Sequence, residues 1–231
     1  MAAFPQMNMS LSPLVIRKVQ ITCPEVTLEG ILNIPVNAKG LVIFAHGSGS
    51  SRLSPRNQYV ARVMHEHHLA TLLFDLLTKE EDELDCVTAE HRFNIGFLSD
   101  RLIQATLWAQ KEPSAQHLGI GYFGSSTGAA AALVAASENP KIEAVVSRGG
   151  RTDLADHVIE NVTAPTLCIA GGDDLPIVKW NQETLHKMTV EKHLSIIPGA
   201  THLFPEPGAL ESMAHQAAEW FEHHFLKSAE L

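Results

Sequence analysis

The run Gly40 to Ala45 (GLVIFA) is apolar after its glycine and too short for a helix, so it reads as a strand buried on both faces. Such a strand needs cover above and below, which a sheet lined with helices supplies. Leu69 to Leu77 (LATLLFDLL) is a second buried run, and His117 to Phe123, Glu143 to Ser147, Pro165 to Ala170 and His193 to Ile197 read as further strands. Helical spacing fills the intervals at Asn57 to His68, Arg101 to Lys111, Thr127 to Ser137, Val178 to Met188 and Ala209 to Phe225. This alternation predicts an α/β fold with a mostly parallel sheet of about eight strands and helices on both faces. Val15 to Thr22 and Val26 to Pro35 alternate apolar and polar residues with no helix between them, which predicts an antiparallel hairpin at the sheet edge.

No repeat or linker divides the 231 residues, so a single domain over 1–231 is expected, with 1–13 a loose leading segment. Thr78 to Ser99 lacks a clear period and opens with the charged run Lys79 to Glu83. A solvated loop leading into a helix is expected there, with a flap over a pocket as the alternative. No insertion is long enough for a large cap domain.

The net charge of −9 gives no electrostatic reason to expect nucleic acid or an anionic membrane as partner. No apolar run approaches the roughly 18 residues of a membrane helix, and the N-terminus does not follow the pattern of a secretory signal. Cys23, Cys86 and Cys168 are widely spaced and form no CxxC or zinc-like cluster, so neither a disulfide framework, a metal nor a cofactor is expected. Free thiols fit a reducing, cytoplasmic setting. Oligomeric state is left open, a homodimer included.

The chemistry-bearing motif is Gly124-Ser125-Ser126-Thr127-Gly128, a G-x-S-x-G that directly follows an apolar strand and directly precedes an alanine-rich helix. A serine lifted out of a sheet on a sharp turn needs small neighbours two residues away on either side, and only Ser126 has glycine at both. The turn also aims the first amides of the helix, Thr127 foremost, at a developing oxyanion. A second donor is expected from the loop after the Phe44-Ala45-His46-Gly47 strand end, at the backbone N–H of Ser48. His46 itself is expected to brace the loop. The acid should follow a buried strand, where Gly171-Gly172-Asp173-Asp174 stands, and the base should follow the last strand, at His202 of Pro198-Gly199-Ala200-Thr201-His202. The residues alone do not separate Asp173 from Asp174, and Asp75 is an outside alternative. His65, His67, His68, His223 and His224 are expected at the surface, without a metal.

These segments resemble the dienelactone hydrolase-like branch of the α/β-hydrolases. The resemblance rests on FAHGSGSSR at Phe44 to Arg52, GYFGSSTG at Gly121 to Gly128, GGDD at Gly171 to Asp174 and PGATHLF at Pro198 to Phe204. It implies an α/β-hydrolase fold and, through its G-x-x-D pattern, favours Asp174, giving the set Ser126, Asp174 and His202. The family's dienelactone hydrolases carry cysteine as nucleophile. Serine at this elbow points instead to an esterase of the same branch, cleaving small carboxylic esters, lactones or thioesters through an acyl-enzyme. The alternatives are an acyltransferase using the same residues and a low-turnover ligand-binding or regulatory protein.

Arg52 and Arg56 follow the oxyanion loop, Arg92 lies in the aperiodic stretch, and Arg148 and Arg151 flank Gly149-Gly150 at a strand end. Arg52, Arg148 and Arg151 are candidates for holding an anionic substrate group. The more ordinary reading is that these arginines brace loops through Asp75, Asp153 or Asp156.

Overall fold

The computed structural model describes residues 14–229, and side chains through Phe225. The leading segment 1–13 lies outside the described residues. The chain runs β1 (Leu14–Thr22), β2 (Thr27–Pro35), β3 (Leu41–Ala45), α1 (Pro55–Glu66), β4 (Ala70–Phe74), α2 (Lys79–Thr88), α3 (Ile95–Ala109), β5 (Ile120–Ser125), α4 (Thr127–Glu138) and β6 (Ile142–Arg148). A 3-10 helix (Thr152–Asn161), β7 (Thr166–Gly171), α5 (Leu175–Lys187), β8 (Lys192–Ile197) and α6 (Ala209–Ala229) complete it. The strands form one eight-stranded sheet in the order β1-β2-β4-β3-β5-β6-β7-β8. β1 pairs antiparallel with β2, and β2 antiparallel with β4, while all later pairings are parallel. This is the mostly parallel sheet that the strand and helix pattern predicts, in the α/β-hydrolase arrangement that the resemblance implies, without a large cap.

The period-2 alternation of a strand explains how one sheet feeds two cores. Leu41, Ile43 and Ala45 of β3 join Leu72, Tyr122 and Cys168 against α3 and α4. Val42 and Phe44 point the other way and join Leu73, Phe123 and Ile169 against α1 and α6. β3 lies between β4 and β5, so the chain leaves its C-terminal end first to one side and later to the other. Open α/β sheets place ligands at such a switch point, and the expected site residues converge there.

The aperiodic stretch carries the helix N-terminus expected there, and holds more helix than the expected loop. Thr78 caps α2, its hydroxyl accepting from the Glu81 amide while the Glu81 carboxylate accepts from the Thr78 amide. The acidic run falls in the first turn, where the helix dipole favours negative charge. Beyond α2, buried Asp85 accepts from the His91 and Arg92 amides and from Arg92 Nε, holding the connection to α3. α3 then starts at Ile95, six residues ahead of the Arg101 expected from periodicity, capped by Asn94. The 3-10 helix was not anticipated; Ala155 and Ile159 bury its inner side. Among the described residues no helix is long and apolar enough to cross a membrane.

The helical histidines are less exposed than expected. His223 is exposed, but His224 is buried beside Trp220, and His65, His67 and His68 are half-buried. His65 Nε2 lies 2.8 Å from Thr71 Oγ1, linking α1 to β4, and burial pushes its pKa down to about 4.

Two glycines set how closely α4 approaches the sheet. A Cβ on Gly128 would lie 2.1 Å from the Ala45 carbonyl oxygen, and one on Gly124 would lie 2.4 Å from Ala129 Cα. Both neighbours are backbone, so neither can step aside cheaply. Gly128→Ala should therefore cost about 1–3 kcal/mol of stability by overpacking, measurable by urea denaturation. His65 makes a separate prediction. Its folded pKa lies below the ordinary 6.5, so the unfolded chain takes up a proton that the folded chain refuses. Stability should fall as pH drops from about 6.5 towards 4, and His65→Gln should flatten that part of the urea-midpoint profile relative to the parent protein.

Candidate active site

Ser126 stands between β5 and α4 with φ 51° and ψ −120°, a left-handed backbone geometry that an L-residue adopts only when its surroundings enforce it. Two backbone hydrogen bonds do so. The Ser126 amide donates to the Arg148 carbonyl at 3.1 Å, and its carbonyl accepts from the Arg151 amide at 3.1 Å. Thr127, the first residue of α4, is buried, and Ser48 lies on the loop after β3. Their side-chain hydroxyls are 3.1 Å apart, tying the two loops together. Among the described residues neither the Ser48 nor the Thr127 amide donates a hydrogen bond.

His202, on the loop after β8, places Nδ1 2.6 Å from Asp174 Oδ2. The carboxylate oxygen accepts, so Nδ1 carries the proton and Nε2 keeps its lone pair. Asp173 is exposed and offers its backbone amide to Ala200, which separates the two aspartates that the residues alone leave open. Asp75 is held by the backbone amide and guanidinium of Arg52. His46 braces as expected: Nε2 accepts from the Leu76 amide at 3.0 Å, which leaves Nδ1 to donate to the Gly47 carbonyl at 3.0 Å. Burial lowers its pKa and keeps it neutral.

Ser126, His202, Ser48, Ser125 and Arg148 line one cavity of about 130 Å³, with Arg56 at its edge. A larger space of about 750 Å³ lies alongside, bordered by Glu29, His46, Arg52, Asp75 and Thr78, and Ser126 takes no part in it. Of these two spaces only the smaller brings the Ser126 hydroxyl and the His202 imidazole together.

The three candidate arginines separate. Arg52 pairs with Asp75 and Glu29 and lines the larger space. Arg151 forms a fork on Asp153, with both bonds 2.9 Å, and lies over the Trp180 ring. Both follow the loop-bracing alternative. Arg148 alone lines the Ser126 cavity, buried over the Phe204 ring, with its pKa drawn down to about 10 by burial and, second, by Arg56. Arg56, which the sequence places after the oxyanion loop, also lines the cavity. Ser125, just before the elbow serine, keeps a buried hydroxyl without a hydrogen-bond partner among the described residues.

Glu191, His223 and His224 bring three potential ligand atoms within 4.8 Å of one another. Glu191 precedes β8, at the opposite end of the strands from Ser126, so the group stands outside this site.

The sequence matches the dienelactone hydrolase family over residues 28–227. It is 54% identical to a dienelactone hydrolase from Anabaena variabilis, covering 91% of this chain and 98% of that one with a TM-score of 0.90. Est1E from Butyrivibrio proteoclasticus shares the fold at 17% identity, with 91% and 99% coverage and a TM-score of 0.72. Proteins of two Mycobacterium tuberculosis strains, bearing a provisional name as a phosphoribosyl transferase, are 47% identical over 92% of this chain. The chain spans 47% of their length. The match across nearly all of the sheet and its helices, together with the close structural agreement, establishes that this chain belongs to the dienelactone hydrolase family of hydrolases.

Proposed function

We propose that the chain is a serine hydrolase that cleaves small carboxylic esters through an acyl-enzyme on Ser126. The observation that carries this reading is the 2.6 Å contact between Asp174 and His202, which leaves His202 Nε2 as a base in the cavity that Ser126 shares. In the first half-reaction Nε2 takes the Ser126 hydroxyl proton as Oγ bonds to the ester carbonyl carbon. The oxyanion is held by the Ser48 and Thr127 amides, both without another acceptor among the described residues. The C–O bond to the alcohol then breaks, and the alcohol leaves with the proton returned by His202. Water, deprotonated by the same nitrogen, attacks the acyl carbon, releasing the acid and restoring Ser126. Asp174 keeps the imidazole in the tautomer this cycle needs. Lactones and thioesters offer the same carbonyl and are accommodated by the same steps.

Acyl transfer to an alcohol or amine would use the same acyl-enzyme, and product analysis with such acceptors present separates it from hydrolysis. The transferase name of the mycobacterial relatives belongs to proteins more than twice the length matched here, and the Ser126 chemistry accounts for acyl rather than phosphoribosyl transfer. The three free cysteines suit a reducing compartment, in keeping with a cytoplasmic enzyme.

A fluorophosphonate probe should label the native protein on Ser126, identified by peptide mass spectrometry. Ser126→Ala should abolish labelling and lower kcat on a 4-nitrophenyl ester by about 10⁴-fold or more with the fold intact by circular dichroism. An active protein that resists the probe would overturn the mechanism. Asp174→Asn should lower kcat by about 10³–10⁴-fold, since the imidazole then loses its fixed tautomer, while Asp173→Asn leaves the rate near its starting value.

A further inference from the structure

Arg148 has an unusual setting for a cation. It is 5% exposed, and its guanidinium has no hydrogen-bond acceptor or carboxylate partner among the described residues. It faces the Phe204 ring at 5.4 Å, and the charged group acting on it is Arg56, of the same sign. Arg56 also forms no ion pair among the described residues. It borders a neighbouring space with Glu206 and Glu211 but bonds neither, and Glu206 accepts instead from Thr201 Oγ1 at 2.6 Å. Arg17, Arg52, Arg92, Arg101 and Arg151 are all engaged by carboxylates. Three arginines have no carboxylate partner among the described residues: Arg62 lies over the Tyr59 ring, and Arg56 and Arg148 share the cavity of the nucleophile.

A third group points to the same ligand. Ser125 is 4% exposed, its hydroxyl has no hydrogen-bond partner among the described residues, and it lines the same cavity. In the β5–β6 register Ser125 stands directly opposite Arg148, so both side chains leave the same face of the sheet. A buried hydroxyl left unbonded and a buried cation left unpaired each cost stability unless a ligand completes them.

We propose that the substrate carries a phosphate-type dianion beside its scissile carbonyl, seated by Arg148, Arg56 and the Ser125 hydroxyl. The proposal rests on the ester-hydrolase reading for the scissile bond, and the phosphoryl group is a handle that is not itself transferred. Two unneutralised guanidinium groups match a phosphate monoester, which carries nearly two negative charges at neutral pH, better than a single carboxylate. The hydroxyl adds a donor for the third oxygen. The cavity of about 130 Å³ keeps the anion and the reacting carbonyl only a few bonds apart.

Binding tests this without turnover. Ser126→Ala, titrated calorimetrically with 3-phosphonopropionate, succinate and butyrate, should bind the phosphonate at least about tenfold more tightly than succinate and butyrate weakest. Arg148→Met and Arg56→Met in that background should each weaken phosphonate binding about tenfold, with Arg148→Lys intermediate. Equal affinity for succinate and phosphonate overturns the dianion assignment, and phosphonate binding that is absent or indifferent to both arginines overturns the subsite. If Arg148→Met fails to fold, Arg148→Lys and the half-exposed Arg56→Met decide alone. Loss of probe labelling in the native protein would refute the ester chemistry and leave the binding result standing, so the two readings fail separately.

Discussion

The site depends on how near the first turn of α4 comes to the ends of β3 and β5. At Gly128 the carbonyl oxygen of Ala45 occupies the space that any side chain would need, and at Gly124 the next turn of the helix does the same. That contact holds the start of the helix against the sheet, and the elbow can then satisfy its backbone only with Ser126 at positive φ. From this one approach follow the place of Ser126 on the cavity wall, the amide of Thr127 without an acceptor among the described residues, and the tie from Thr127 to Ser48 across the two loops. His202 and Asp174 arrive from strands further along the sheet, but they meet a group whose position is already fixed by packing.

The same end of the sheet sorts its charges by depth. Arg52 and Arg151 sit outside the nucleophile's cavity and are neutralised by aspartates a loop away. Arg148 ends β6, deeper in, where no carboxylate among the described residues reaches it. Asp75, considered as a catalytic acid, is spent on Arg52, and His46 has both ring nitrogens committed to backbone groups. Glu206 and Glu211 border a space beside Arg56, yet neither pairs with it, and Glu206 is bonded to Thr201 instead.

Much of this was legible in the sequence because it comes from patterns with a direct physical meaning. Uninterrupted apolar runs marked β3 and β4, and strand alternation marked the β1–β2 hairpin. The order of elbow, acidic loop and last-strand loop located Ser126, the Asp173–Asp174 pair and His202. What was not legible depended on long-range contacts or on signals passed over. Thr78 and Glu81 form a capping box that the sequence carried openly, yet the surrounding charge drew attention to solvation instead. The early start of α3 depends on Asp85 gathering the amides that follow it, which no periodicity reveals. The separation of Arg148 from Arg52 and Arg151 needed the positions of partners up to two dozen residues away. His224 looked like a surface histidine, but the face of α6 it occupies turns inward beside Trp220.

The positive φ at Ser126 has an evolutionary consequence. A β-branched residue is strongly disfavoured in that conformation, so threonine is a poor substitute even though it carries a hydroxyl. Serine and cysteine share one unbranched outline and differ by a single atom. A lineage built on this elbow can therefore exchange oxygen for sulfur without moving the backbone, altering its reactivity while the scaffold around it stays put.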